Sequence, residues 1–223
     1  MSEARAKCAA CGVSILDSTA ASTGGKCIPC SRGTRAQMEA NRRRGDAHRE
    51  RLRKNEEARK RIAARPHATF ADFLAEEDPI GVLWGVMLTT VSGGSSRLEN
   101  IGALSASART LYYVEIFNGE VLNGGFSQFF SNSSGEYAHE ALAALQELGA
   151  PRAAGLLQQA MAAFPGGRVP PQRRSRYEQL ERIDPAVLDA LDTEYYTLEK
   201  SSGEGLARLM LAFMKNRASE RIT

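Results

Sequence analysis

From Phe70 to the end of the chain, apolar residues recur every three or four positions and never alternate over any length. Ala138, Ala141, Leu142, Leu145 and Leu148 follow the rhythm of one buried helix face, and Gly149 supplies a stop. Pro151 opens the next helix, with Ala153, Leu156, Leu157, Ala160, Met161 and Phe164 on one side, and Pro165-Gly166-Gly167 ends it. Asp184-Pro185 reads as an N-cap followed by proline at the first helical position. Val187, Leu188, Leu191, Tyr195 and Leu198 form the inner face of that helix, and Leu206, Leu209, Met210 and Phe213 that of the last. Leu104 to Leu122, with Ala108, Leu111, Tyr112 and Gly119, is the expected central helix. The pattern predicts an all-α helical bundle over residues 67–223.

Residues 34–66 carry a different pattern. They contain no proline before Pro66 and one glycine, Gly45, and are rich in strong helix formers. Met38, Leu52 and Ile62 are the only large apolar residues, too few for a stripe, so a solvated basic connecting helix is expected here. Glu50/Lys54 and Glu56/Lys60 support it at i,i+4 spacing. Pro66 ends it, because the residue before proline resists helical geometry.

Residues 1–33 hold all four cysteines of the chain, as Cys8-x2-Cys11 and Cys27-x2-Cys30. Two intervening residues let a tight turn aim both sulfurs of a pair at one ion, and two such pairs match a four-thiolate structural Zn2+ site. A segment this short buries too little surface to fold unaided, so one zinc ion per chain would supply the folding energy. Val13 to Leu16 is expected to form a short strand, and the small, polar run Ser18 to Gly25 a hairpin loop.

The run Glu120 to Gly135 stands apart from ordinary helical sequence. Asn123-Gly124-Gly125 breaks a helix and permits positive φ, after which Phe126, Phe129 and Phe130 return at helical spacing to plug the core. Glu120, Asn123, Gln128 and Asn132 lie beside that phenylalanine cluster and should be hydrogen-bonded to backbone or to one another. Ser133 or Ser134 is placed to cap the following helix. The core Asn-Gly-Gly-Phe-x-Gln-Phe-Phe-x-Asn-x-x-Gly resembles the DNA-mimic protein family, a bacterial family of helical domains. The likeness continues through Glu140-Ala141-Leu142, Leu148-Gly149-Ala150, Ala160 to Phe164, and Leu188 to Tyr196. It covers Ala103 to Arg217 and leaves out the cysteine segment and the basic helix. It implies a helical domain that presents carboxylates as a phosphate backbone would, occupying the DNA-binding face of a transcription regulator.

Charge divides the chain in the same place. Residues 1–66 carry 16 Lys and Arg against 7 Asp and Glu, a net of +9, and residues 67–223 carry 13 against 19, a net of −6. Arg42, Arg43, Arg44, Arg51, Arg53 and Lys54 are candidate phosphate contacts, whereas Arg173, Arg174 and Arg176 interrupt the acidic surface of the body. No apolar run is long enough to span a membrane, and no apolar leader precedes Cys8, so a cytoplasmic protein is expected. His48, His67 and His139 are scattered without a nucleophile partner, and Ser92 to Ser96 lacks the lysine of a phosphate-binding loop. The expected function is therefore a non-enzymatic binding protein. Its body engages a protein partner, and its front end adds a nucleic-acid or second protein contact. A small-ligand or hydrolytic site around Glu120, Asn123 and Gln128 is the alternative, with a toxin-neutralising immunity-type protein as another. The sequence leaves oligomeric state open, a dimer included.

Overall fold

The computed structural model describes residues 4–65, 67–92, 100–200 and 205–223. Pro66 and the whole glycine-rich run after Ser92 lie outside them. The chain divides into two compact units, Met1–Lys54 and Asn55–Thr223.

The first unit opens with an antiparallel pair, β1 (Arg5–Lys7) and β2 (Ser14–Leu16), in which Ala6 faces Ile15. Three residues with no alternation leave β1 without a sequence signal; β2 supplies its partner. The expected hairpin loop is instead a short helix, α1 (Asp17–Ser22). Asp17 stands in its first turn and Ala20 packs on the small cluster of Cys8, Ile15 and Cys27. A run of Ser, Thr and Ala is neutral enough that this contact decides between loop and helix. The second cysteine pair leads into α2 (Ile28–Ser31), and α3 (Arg35–Ala63) follows.

The end of α3 belongs to the second unit and departs from the solvated connector expected of it. Met38 and Leu52 are exposed, but Ala58 and Ile62 are buried, the latter 1% exposed. Their neighbour is α5 (Pro79–Ser92), which follows the short α4 (Phe70–Leu74). Gly81 and Gly85 lie one turn apart on α5 and leave room for the Asn55 and Arg59 side chains of α3. A Cβ at Gly81 would stand 2.8 Å from Asn55 Nδ2, and one at Gly85 2.8 Å from Arg59 Cδ. Asn55 Nδ2 donates to Asp78 Oδ2 at 2.8 Å, Arg61 pairs with Glu76 at 2.5 Å, and Arg65 pairs with Asp72. The structural division therefore falls twelve residues before the expected start at residue 67.

The body is all-α around α6 (Ala106–Ser131), which packs against α5, α7 (Ala138–Leu148), α9 (Arg173–Leu180), α10 (Pro185–Lys200) and α11 (Leu206–Asn216), with α8 (Pro151–Ala162) on α7 and α10. The inner faces match the periodicity except at Val187, which is 45% exposed on the first turn of α10, and on α6 at Gly119 and Leu122, the latter 48% exposed. Asp184 Oδ1 caps that helix by accepting from Ala186 N at 3.0 Å. Among the described residues no helix is long and apolar enough to cross a membrane.

Candidate functional site

Two constellations carry chemistry, one in each unit. In the first, the ligand atoms of Cys8, Cys11, Cys27 and Cys30 all lie within 4.8 Å of one another. Cys11 Sγ and Cys27 Sγ are 3.8 Å apart, far from the ~2.05 Å of a disulfide. A tetrahedron of sulfurs about 2.3 Å from its centre has edges of about 3.8 Å, so the donor set fits a tetrahedral, thiophilic metal ion. Cys27 N donates to Cys8 Sγ at 3.1 Å. That backbone donor holds the Cys8 thiol down at about 6, whereas hydrogen bonding to Cys27 and burial push Cys30 up to about 12. Four crowded thiols cannot all ionise without a cation among them, and a bound dication removes the conflict.

The second constellation is the break in α6. Gly124 (φ −160°, ψ 29°) and Gly125 (φ +75°, ψ −176°) leave helical geometry, and Phe126 resumes it. In an unbroken helix Val121 O would accept from Gly125 N, and Phe126 N would donate to Leu122 O. Helix α10 supplies the replacements: Asp192 Oδ1 accepts from Phe126 N at 2.8 Å, and Tyr196 Oη donates to Val121 O at 3.0 Å. Burial raises the carboxyl of Asp192, partly offset by the Phe126 N–H. Between these two bonds, the Tyr195 ring packs edge-on to Phe117 and Phe126, and its hydroxyl donates to Asn118 Oδ1 at 2.9 Å.

Gly125 has no substitute here. A Cβ would fall on the Asp192 carboxylate, in a backbone region that L residues rarely adopt. Gly125→Ala is expected to cost about 3 kcal/mol through strain and the lost cap. Urea denaturation should show a loss of stability of that size, whereas Gly155→Ala, on an open face in the interior of α8, should raise stability by about 0.5–1 kcal/mol.

A clasp crosses the same break. Glu120 Oε2 accepts from Gln128 Nε2 at 2.7 Å and from Asn132 Nδ2 at 2.9 Å, and Glu120 Oε1 accepts from Ser134 Oγ at 3.0 Å. Glu120, Gln128 and Asn132 thus meet as expected, while Asn123 is exposed and stands outside the network. Neither serine caps α7, whose N-cap position is Tyr137. Ser134 is drawn inward to Glu120.

Arg176 was expected on the surface and is fully buried. Its guanidinium donates to the carbonyls of Phe130 (3.0 Å), Asn132 (2.8 Å), Pro170 (3.1 Å) and Pro171 (2.6 Å). It thereby closes the C-terminal end of α6, where helical carbonyls lack partners and a cation is favoured. No sequence signal separates it from Arg173 and Arg174, which are exposed. Only the fold decides which arginine turns inward.

Among the basic candidates, Arg53 pairs with Glu50 at 2.6 Å, Arg51 meets His48 Nδ1 at 3.3 Å, and Lys54 is also engaged. Arg42, Arg43 and Arg44 are exposed.

A family model described as DMP19-like protein matches residues 102–217, the stretch that carries the resemblance to DNA-mimic proteins. No curated protein and no solved structure matches the chain.

Proposed function

Since this chain belongs to the DMP19-like protein family, we propose that its body is a non-enzymatic binding module for the basic, DNA-contacting face of a regulatory protein. The observation that supports this reading is the distribution of carboxylates around α10. Residues 178–199 contain seven Asp and Glu against one basic residue, Arg182. Four of the seven have structural work. Glu178 pairs with Arg174, Asp184 caps α10, Asp192 caps Phe126, and Glu199 Oε1 accepts from Leu206 N at 3.0 Å. Glu181, Asp189 and Glu194 are exposed and, among the described residues, have no ion-pair partner. They are the carboxylates through which a cationic partner would be met. Duplex DNA carries one charge per about 1.7 Å of axis. Three free carboxylates are enough for steering and a salt-sensitive contact with a surface built for that charge.

In the same reading the four thiolates hold one structural Zn2+, closed to substrate because all four positions are protein ligands. Glu120, with both oxygens already accepting from the clasp, serves the architecture of the break.

Affinity capture from the native cell with full-length protein, at low and high salt, tests the proposal. A DNA-binding protein recovered at low salt and released at high salt is expected. Recovery of a tightly held metabolite in its place would overturn the reading.

A further inference from the structure

The front unit has an unassigned chemistry of its own. Residues 1–54 carry 12 Lys and Arg against 5 Asp and Glu, a net of +7, with no Phe, Tyr or Trp. On α3 the acidic residues of this unit are already engaged: Glu39 with Arg35 at 2.6 Å, Asp46 with Arg49, and Glu50 with Arg53. Arg43 stands four residues after Glu39, and Arg42 four before Asp46, spacings at which each could pair. Both acids are taken by other arginines. Arg42, Arg43 and Arg44 are therefore three consecutive exposed guanidiniums with no ion pair among the described residues.

Consecutive helical residues point about 100° apart, so the three side chains fan over about 200° of the helix within one turn. A flat acidic surface meets one or two of them. A groove with phosphates on both rims meets all three. The major groove of B-form DNA, about 12 Å wide, admits a helix about 10–12 Å across, whereas the deep, narrow major groove of duplex RNA does not. Single strands are bound chiefly by stacking on aromatic side chains, and this unit has no Phe, Tyr or Trp, while its one histidine, His48, is turned to Arg51. Gln37, a candidate base reader, is turned to Asn41, its Nε2 donating to Asn41 Oδ1 at 2.9 Å.

We propose that Arg42, Arg43 and Arg44 seat α3 in the major groove of double-stranded DNA through phosphate contacts, without reading sequence. This interaction is separate from the partner-binding reading of the body.

Fluorescence anisotropy of a labelled duplex of arbitrary sequence, titrated with the full-length zinc-loaded protein over a salt series, tests the proposal. Each phosphate contact contributes about 0.9 to the slope of log affinity against log salt, so R42A/R43A/R44A should lower the slope by about 2.7. R51A/R53A/K54A should change it by less than about 1. Alanine favours helix, and circular dichroism of both variants should match the parent. The proposal falls if low salt gives no duplex binding, or if the first triple variant leaves the slope unchanged. Tighter binding to a single strand or to polyglutamate would overturn it in favour of those partners, and equal affinity for duplex RNA would remove the groove argument.

Discussion

Arg176→Ala should cost the body roughly 4 kcal/mol, because each buried carbonyl that loses its donor costs about 1–3 kcal/mol and the emptied site adds a cavity. The four carbonyls that it joins come from the end of α6 and from Pro170-Pro171, two stretches far apart in sequence. Water can reach Pro171, which is exposed, but Phe130 O lies in the core. Lysine would not restore the arrangement, since one ammonium cannot reproduce a planar fork that donates from three nitrogens. Arg174→Ala, two residues away, removes only an exposed pair with Glu178 and should change stability by less than about 0.5 kcal/mol. Urea denaturation followed by circular dichroism separates these outcomes. Similar, small losses for both would mean that the Arg176 guanidinium is not the closure of α6.

Removal of metal should have the other large effect. Among the described residues the ribbon buries only the cluster of Cys8, Ile15 and Cys27, too little to hold β1, β2 and α1 together without an ion. Structural zinc sites contribute roughly 10–16 kcal/mol of apparent binding energy at neutral pH. Protein purified without added metal should contain about one zinc per chain. Chelation should abolish amide protection across the ribbon while leaving that of α6 to α11 intact. Zinc far below one equivalent, with the ribbon still protected after chelation, would contradict the assignment.

How much of this was readable without coordinates varies by element. Helices α6, α7, α8, α10 and α11 were, because their apolar residues repeat at 3.6 spacing and several of their ends carry Gly149, Pro151 and Asp184-Pro185; α4, α5 and α9 carry no comparable signal. The cysteine cluster was, because its spacing is itself the geometry. The break at Gly124-Gly125 was visible, but its consequence was not. The two most distinctive segments of the resemblance, Asn123 to Phe126 and Leu188 to Tyr196, turn out to be one device, since Asp192 and Tyr196 take up the donor and acceptor that the break frees. Periodicity is local and cannot show a bond across 66 residues. Two further misreadings share that cause. Arg176 looks like its exposed neighbours until α9 is placed against the end of α6. The end of α3 looks solvated because Ala58 and Ile62 make no stripe, and the signal lay on its partner, in Gly81 and Gly85 of α5.

If the body covers the surface that its partner offers to DNA, as proposed above, the body and DNA must compete for that partner. The DNA-binding protein recovered by affinity capture is loaded with its own labelled duplex and titrated with full-length protein. Displacement of the duplex is expected, weakened by added salt and weakened further in a variant carrying Glu181→Gln, Asp189→Asn and Glu194→Gln. A ternary complex in which partner, duplex and this protein remain together, with an affinity indifferent to those three carboxylates, would contradict it.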